Sequence, residues 1–400
     1  MKSKPFSELF AIPSRNGLTR PKRVRGAGVK MVNMGELFAN DRLRNVPMDR
    51  VPLAGKERAD NLLRPGDLLF ARQSLVRSGA GQSSIFLGDS EDVCFESHLI
   101  RCRLNLSESD PQFYYYWFRS PDGRNAIDSI VEQGAGASGI RGSDLAKLMV
   151  PQPALDEQKS ICEQLTALDD KIELNRRMNA TLEAMAQALF KEWFVDGAKE
   201  EWKEKPFADT VHVFAGGTPK TIVAEYWDGD IPWFAIADAG PTNVYVTDTA
   251  RKVTQAGIDN SSAQIVKAGT TILTARGTVG QTVLTGVPMA MNQSCFGLWG
   301  IHDVHGYFTY FQTKHIAEQF KQYSHGSVFS TINRSTFGTL RVVMPDADTV
   351  NSFEELVHPM MQRILGNINE SHTLTALRDT LLPKLMRGEV RVKADKLHVQ

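Results

Sequence analysis

The chain has 400 residues, 42% of them hydrophobic, which is too long for one compact core and typical of two or three globular domains. Its 46 basic residues balance 46 acidic residues, so overall charge does not point to nucleic acid. The N-terminal residues lack the apolar core of a signal peptide, no run approaches the ~20 apolar residues of a membrane span, and the four cysteines form no metal-binding pair. We therefore expect a cytoplasmic protein with no membrane partner.

Positive charge is concentrated in the first predicted segment. Residues 11–30 contain no acidic residue and six basic residues, namely Arg15, Arg20, Lys22, Arg23, Arg25 and Lys30. Such a local excess of positive charge suits contact with phosphate groups.

The chain repeats itself. The stretch KSKPFSEL at residues 2–9 matches KEKPFADT at 203–210, and LLRPGDLLFAR at 62–72 matches IVKAGTTILTAR at 265–276. Each of the latter two leads into a turn that ends in Gly-Gln, at Gly81 and Gly280. A third pair is GAGASGIRGSDLAKLMVP and HGSVFSTINRSTFGTLRVVMP, the latter at 325–345. These matches predict two similar domains.

The first copy of this third pair contains the glycine pattern of a dinucleotide-binding loop, at Gly134, Gly136 and Gly139. That function needs a buried strand before the glycines and a helix after them, and neither flank fits. Only Gly134 has a counterpart in the second copy, Gly326. We therefore interpret the segment as a repeated polar loop, Gly followed by Ser-x-Ile-[Arg/Asn].

A long helix closes each copy. Apolar residues alternate at steps of four and three, which predicts a coiled-coil seam, with Leu165, Leu168, Ile172, Asn175, Leu182 and Leu189 in the first helix and Val357, Ile364, Asn367, Leu374 and Leu381 in the second. Asn175 and Asn367 occupy equivalent positions, and a buried Asn fixes partner and register. The favoured interpretation is antiparallel pairing of the two helices; the alternative is that each packs on its own domain.

The predicted fold class is α+β, with an internal pseudo-two-fold repeat. Two similar domains of short mixed strands and helices, at residues 1–152 and 198–348, are separated by the long helices at 153–197 and 349–392, and residues 393–400 form a tail. Two domains on a rigid spacer of helices suit a DNA duplex with two separated half-sites.

Candidate DNA contacts combine cations for phosphates with Arg, Gln and Asn for base edges. They are Arg15, Arg20, Lys22, Arg23, Arg25, Arg72, Gln73, Arg77 and Arg141 in the first copy, and Lys220, Arg276, Gln281, Asn292, Gln293, Asn333 and Arg334 in the second.

Three stretches carry a family resemblance. PQPALDEQKSI with LDDKIELNRRMNATLEAMAQALFKEWFVD resembles the central conserved region of type I restriction-modification specificity subunits. LRDTLLPKLMRGEVRV is similar to their C-terminal conserved region, and GGTPKTIVAEYWDGDIPWF resembles the start of a target-recognition domain. The stretch RQSLVRSGAGQSS departs from the shorter turn usual in the family.

The resemblance implies a non-catalytic subunit of an adenine methyltransferase and site-specific endonuclease. Each domain would read one half of an asymmetric, interrupted site in double-stranded DNA. Two methyltransferase subunits and restriction/translocase subunits would be its partners. This chain would carry no cofactor or metal, and S-adenosylmethionine, ATP and Mg²⁺ would belong to the partner subunits.

A search for catalytic motifs agrees with this implication. The chain contains neither the [ND]-P-P-[YF] tetrapeptide of an amino-methyltransferase nor a phosphate-binding G-x-x-x-x-G-K-[ST]. The alternative function is a two-headed coiled-coil adaptor that binds proteins and not DNA. A further cluster, Phe190, Trp193 and Phe194, is either a docking patch for the methyltransferase subunits or part of a domain core.

Overall fold

The computed structural model describes residues 2–134, 136–240, 244–301, 306–323 and 332–391, with only the backbone at 319–323. Gly326 of the predicted second polar loop lies outside these residues. The chain divides into two compact units, residues 1–170 with 374–400 and residues 171–373. Each unit contains one globular domain and one part of each of the two long helices.

The globular domain of the first unit consists of short strands and helices. Its strands are β1 (Ser3–Pro5), β2 (Phe10–Asn16), β3 (Val29–Val32), β4 (Arg42–Arg44), β5 (Arg50–Val51), β6 (Leu68–Ala71), β7 (Gln73–Ser74), β8 (Ser83–Gly88), β9 (Val93–Phe95), β10 (Leu99–Leu104), β11 (Glu132–Gln133), β12 (Ser138–Gly139) and β13 (Met149–Pro151). Its helices are α1 (Met34–Ala39), α2 (Gly55–Asn61), α3 (Pro111–Arg119), α4 (Pro121–Asp128) and α5 (Gly142–Leu145).

A five-stranded sheet of order β2-β10-β6-β8-β4 forms the centre of this domain. Its central strand β6 is a short run of four buried residues, as expected for a strand that is covered on both faces. Smaller sheets of order β5-β3-β9, β1-β13 and β11-β12-β7 surround it.

Helix α3 supplies aromatic side chains to the core. Asp110 caps it and Pro111 begins it, and all residues from Phe113 to Phe118 are buried. Phe118 meets Phe6 and Phe70 with ring centroids 4.9 Å apart in both cases. The helix ends at Arg119 because the residue before Pro121 is held in extended conformation, and α4 then begins with that proline.

The second unit repeats this arrangement. Its globular elements are β14 (Lys203–Pro206), β15 (Val211–Ala215), β16 (Trp227–Phe234), β17 (Tyr245–Val246), β18 (Lys252–Val253), α7 (Gln255–Asp259), β19 (Thr271–Thr274), β20 (Thr282–Thr285), β21 (Ala290–Met291), β22 (Cys295–Gly300), α8 (Gly306–Tyr323), α9 (Arg334–Thr339) and β23 (Arg341–Met344). The sheet orders β15-β22-β19-β20-β17, β18-β16-β21 and β14-β23 correspond strand for strand to three sheets of the first unit. The predicted α+β class with two similar domains is therefore confirmed.

The long helices are α6 (Leu155–Lys191), which continues as a π-helical turn to Asp196, and α10 (Ala347–Met386). Within the second unit they pair antiparallel: Asn175 Nδ2 donates to Glu370 Oε2 at 2.8 Å and to the Asn367 backbone oxygen at 3.4 Å. Asn367 Nδ2 in turn donates to Asn179 Oδ1 at 2.8 Å. The two equivalent asparagines thus form one buried polar layer.

The first unit contains a second section of this helix pair. Asp169 accepts hydrogen bonds from Arg378 Nη1 at 2.8 Å and from the Tyr116 hydroxyl at 2.7 Å. Leu165 packs in the same core cluster as Leu382. The predicted seam residues differ in how deeply they are buried. Five are buried, namely Leu165, Asn175, Val357, Ile364 and Asn367. The others are half-buried, namely Leu168, Ile172, Leu182, Leu189, Leu374 and Leu381. Helices that also cover a domain need such a broad apolar face.

The patch predicted around Phe190 is not exposed. Phe190 is 4% and Phe194 8% exposed, and both lie in the core cluster of the second unit with Phe308 and Phe353. Phe194 and Phe308 have ring centroids 4.9 Å apart, and Trp193 packs against the same cluster. The docking prediction is therefore corrected: these side chains hold the end of α6 against the second domain.

Candidate nucleic-acid interface

Four segments of the first domain converge at one end of its central sheet. After β2 the chain passes beside the residues between β9 and β10, where Leu18 bridges Glu96 and the Thr19 hydroxyl donates to Ser97 Oγ at 3.0 Å. Gly17 permits this approach, because a Cβ there would lie 2.0 Å from the Phe95 oxygen.

The other two segments join through Arg72. Its backbone N–H donates to the His98 oxygen at 2.8 Å, and its oxygen accepts from Ile140 N at 2.9 Å. The side chains of Gln73 and His98 meet at 3.2 Å. Pairing of β7 with β12 brings the predicted polar loop before Arg141 to the same place. We call residues 17–25, 72–78, 96–98 and 138–141 the first polar surface.

In the second domain, four equivalent segments converge in the same way. Gly217 N donates to Met291 O at 2.9 Å, and the Thr218 hydroxyl donates to Gln293. Ala275 N donates to Ser294 O at 2.7 Å, and Ala275 O accepts from Ile332 N at 2.9 Å. These residues, 216–222, 275–279, 292–294 and 332–334, form the second polar surface.

Glycine has the same role in both surfaces. Gly216 follows β15 as Gly17 follows β2, and a Cβ at Gly216 would lie 1.8 Å from the Asn292 oxygen. The sequence had identified Gly216 only within the stretch GGTPKTIVAEYWDGDIPWF and had not singled out Gly17. The pattern of a glycine one or two residues after a strand was the available signal.

The hydrogen bonds correct one detail of the repeat. Ile140 bonds to Arg72 as Ile332 bonds to Ala275, so Arg72 is equivalent to Ala275 and Gln73 to Arg276. The sequence match had paired Arg72 with Arg276, because both matched stretches end in the dipeptide Ala-Arg. The turn glycines Gly66 and Gly269 mark the correct alignment, since both have positive φ, of 93° and 84°.

Most cations of the segment 11–30 have acidic partners from elsewhere in the first domain. Arg15 pairs with Asp60 at 3.0 Å, Arg20 with Glu57 at 2.7 Å, Arg25 with Asp49 at 3.0 Å and Lys30 with Asp89 at 2.9 Å. The hydrogen bond from Arg20 also lowers the pKa of Glu57. The predicted charge excess is therefore largely neutralised by residues that are distant in sequence.

Several other candidates also have partners within their own domain. Arg77 donates to the Asp128 oxygen at 3.0 Å and Arg141 to Glu132 at 2.7 Å. In the second domain, Gln281 donates to the Ala239 and Gly240 oxygens at 2.6 and 2.7 Å.

Three of the remaining candidates bond to nearby backbone. Asn292 Oδ1 accepts from Ser294 N at 3.0 Å, Asn333 caps α9, and Arg334 Nη2 lies 3.4 Å from the Val213 oxygen. Such bonds hold the loops in shape.

Five candidate cations make no side-chain hydrogen bond or ion pair within the described part of the chain. They are Lys22, Arg23 and Arg72 on the first surface and Lys220 and Arg276 on the second. Their charges are available to an external anion. Within the described residues both surfaces thus combine unpaired cations with hydroxyl and amide groups, the set that proteins use on phosphates and base edges, and the first surface adds the His98 imidazole.

The described residues contain no group of three or more His, Cys, Asp and Glu side chains that could hold a metal ion. No helix among them is long and apolar enough to cross a membrane. His302 and His305 lie outside the described residues.

Comparison with known proteins places the chain in a family. The family described as type I restriction modification DNA specificity domain matches residues 26–184 and again residues 199–352. The chain belongs to this family. Each match covers most of one domain, in agreement with the repeat of sheets.

Relatives extend over nearly the whole chain. The type I restriction enzyme HindI specificity subunit of Haemophilus influenzae is 23% identical and covers 90% of this chain and 94% of its own length. The MjaIX specificity subunit of Methanocaldococcus jannaschii is 24% identical over 70% of this chain and 69% of its own. The crystal structure of the type I restriction-modification S subunit from M. genitalium shares the fold, with a TM-score of 0.52, 17% identity and coverage of 96% and 95%.

The chain is therefore a DNA specificity subunit of the type I restriction-modification class. This confirms the DNA-specificity role, without catalysis of its own, that the resemblance implied.

Proposed function

We propose that the first polar surface reads one half of an asymmetric site in double-stranded DNA and that the second reads the other half. One observation carries the proposal: both domains hold four polar segments on the same backbone frame, yet the side chains at equivalent places differ. Gln73 of the first domain stands where the second has Arg276, His98 where it has Ser294, and Arg141 where it has Asn333. A common frame with different side chains suits recognition of two different sequences.

The sixteen candidate residues divide by role under this proposal. The five cations without internal partners are the first choice for phosphates and guanine edges. The ion-paired arginines would need to exchange a carboxylate for a phosphate. Gln281, Asn292 and Asn333 act mainly through the loop conformations that they stabilise.

The assembly proposed here follows the family. Residues 1–152 and 198–348 would be the recognition domains, 153–197 and 349–392 the helical spacer, and 393–400 a tail. The helices would bind two methyltransferase subunits, and restriction/translocase subunits would join them in the cytoplasm. S-adenosylmethionine, ATP and Mg²⁺ would be bound by those partners. Support comes from the curated relatives, which are specificity subunits of restriction enzymes.

An exchange of domains tests the proposal. Residues 11–150 are replaced by the equivalent residues of a relative with a different target, and methylated sites are mapped in cells that also express the methyltransferase subunit. We expect one half of the methylated site to change and the other half to persist. The reciprocal exchange of residues 198–348 is the matched control and should change only the other half. Both halves changing in either chimera would refute the assignment.

A salt titration separates this function from the adaptor alternative. Binding of the complex to random duplex should weaken steeply as salt rises, because phosphate contacts release counterions. A protein-binding adaptor would show no such slope.

A further inference from the structure

The loop between the two central strands differs in length between the domains. In the first domain Ala71 N donates to Gln82 O and Gly81 N to Ala71 O, both at 2.8 Å. In the second, Thr274 N donates to Gln281 O and Gly280 N to Thr274 O, both at 2.9 Å. Between these equivalent closing bonds lie residues 72–80 in the first domain and only residues 275–279 in the second. The first loop is therefore longer by four residues.

The longer loop presents an aliphatic side chain to solvent. Leu75 is 88% and Val76 is 62% exposed, whereas Val279 of the shorter loop is half-buried. A single exposed leucine is ordinary on a protein surface, so its surroundings decide its meaning. Leu75 lies two residues from Gln73, in the middle of the first polar surface, and three from Arg72, a cation without an internal partner in the described residues.

The loop is held in one conformation although its tip is exposed. Ser74 Oγ accepts from Val76 N at 3.2 Å, and Gly79 N donates to the Val76 oxygen at 3.1 Å. From outside the loop, Arg124 Nη2 donates to the Ser78 oxygen at 3.2 Å. Arg77 also fixes the loop, through its bond to the Asp128 oxygen. A loop whose backbone is already ordered loses little conformational entropy when it binds.

We propose that Leu75 contacts the 5-methyl group of a thymine in the major groove, within the half-site read by the first domain. This inference rests on the proposed function. The cation Arg72 and the amide of Gln73, near Leu75 in the chain, suit an anionic partner with hydrogen-bonding groups. Leu75 itself suits an apolar group within that partner. The thymine methyl is the apolar group that base edges of duplex DNA present in the major groove.

The test replaces thymines by uracils, one at a time, in the cognate duplex. Uracil lacks only the methyl group, and the duplex is chosen from the mapped methylation site. For the wild-type complex with its methyltransferase subunit, we expect one substitution in the first half-site to weaken binding about fourfold, the value of one buried methyl group. The Leu75→Ala complex should bind the thymine duplex at least as weakly as the wild-type complex binds the uracil-substituted duplex. It should also bind the thymine duplex and the uracil duplex with equal affinity.

Leu106→Ala is the matched control. Leu106 is 65% exposed and lies in the turn after β10, at the end opposite Leu99 and the polar surface. This variant should keep both the affinity and the thymine preference. If Leu75→Ala keeps the preference, or if no thymine of the half-site is sensitive in the wild type, the inference is wrong. Loss of all sequence-specific binding by the wild-type complex would instead refute the proposed function.

Discussion

Under the proposed function, the cations that have no partner within the described part of the chain contribute to recognition and not to stability. Arg276 is exposed in the short loop of the second domain and occupies the place of Gln73 in the first. Because its guanidinium stabilises nothing in the described part of the domain, its removal should leave folding unchanged. The ion-paired Arg20, by contrast, has a part in holding its own domain together.

We predict that Arg276→Gln lowers the affinity of the complex for its cognate duplex by about 1–3 kcal/mol if the side chain contacts a base. A phosphate contact would instead reduce the salt dependence of binding by about one counterion. Filter binding or anisotropy at several salt concentrations measures both. Arg341→Gln, an exposed arginine on the strand β23, is the control and should bind as the wild type does. Equal affinities of the two variants would contradict the prediction.

At the scale of elements, the two sections of the helix pair use different chemistry at equivalent levels. When α6 and α10 are superposed so that Asn175 corresponds to Asn367, Asp169 corresponds to Met361 and Ala186 corresponds to Arg378. On α3 and α8, Tyr116 follows Phe113 as Phe311 follows Phe308. The first unit thus contains a buried Tyr-Asp-Arg network where the second has Phe, Met and Ala. Burial and the nearby Asp169 raise the pKa of Tyr116, so its hydroxyl stays protonated and donates to that carboxylate.

Removal of one member of this network should be costly. Arg378→Ala leaves the Asp169 carboxylate buried without its cation and should lower the free energy of unfolding by about 3–5 kcal/mol. The combined variant Tyr116→Phe, Asp169→Met, Arg378→Ala installs the side chains of the second unit and should recover most of this loss. Urea unfolding followed by circular dichroism gives both values. A combined variant no more stable than Arg378→Ala would show that the two layers do not pack alike.

The start of α10 depends on one carboxylate. Asp346 Oδ1 accepts from Thr349 N at 2.8 Å, and Asp346 Oδ2 accepts from Trp202 Nε1 at 3.2 Å. The bonds from the Thr349 backbone and hydroxyl lower the pKa of Asp346 to about 2.

Because the pKa of Asp346 is lower in the folded state, its contribution to stability is present above the ordinary Asp pKa near 4 and is lost as pH falls through about 2. Asp346→Ala should therefore lower the melting temperature at pH 7, and the difference from the wild type should shrink between pH 4 and pH 2. Thermal melts across this range provide the measurement. Asp348→Ala, in the first turn of the same helix, controls for the loss of a charge. A difference that is constant with pH would contradict the role of the carboxylate.

At the scale of the whole molecule, both long helices run without interruption through the boundary between the units, α6 at residues 170–171 and α10 at 373–374. If they act as the spacer, their length sets the gap between the half-sites. One heptad inserted into both helices at this boundary preserves their register and adds ~10 Å at 1.5 Å per residue.

We predict that this insertion lengthens the unspecified gap by about three base pairs of ~3.4 Å and leaves the specified bases unchanged. Methylation mapping of the mutant reads out both properties. A four-residue insertion in one helix alone adds about one helical turn, which locally unwinds the pair, and should lengthen the gap by one or at most two base pairs. Methylation at the original gap by the heptad mutant would show that another part of the molecule spaces the domains.

The sequence predicted the repeated domains and the long helices because both leave local signals. The repeat shows as similar stretches of eight or more residues, and the helices show as apolar residues spaced alternately by four and three. The convergence of the segments that contain Thr19, Gln73 and His98 left no such signal, since it arises from strand pairing across about 80 residues. Phe190 and Phe194 were ambiguous because an apolar residue off the helix seam suits a partner or a domain equally well. The neutralisation of the segment 11–30 was likewise invisible, because its acidic partners are 24 to 59 residues away in the chain.

The paired backbone bonds that close the loop between the central strands also affect how the protein can evolve. Because Ala71 and Thr274 close their loops at the ends of the central strands, a change of loop length between the closing bonds leaves the pairing of those strands intact. Loop-closure entropy rises by only about 0.6 kcal/mol for a doubling of length, and five against nine residues is close to that. A change of loop length at this point therefore adds little to the entropy of loop closure, and under the proposed function it alters the DNA-facing surface while the pairing of the central strands stays the same.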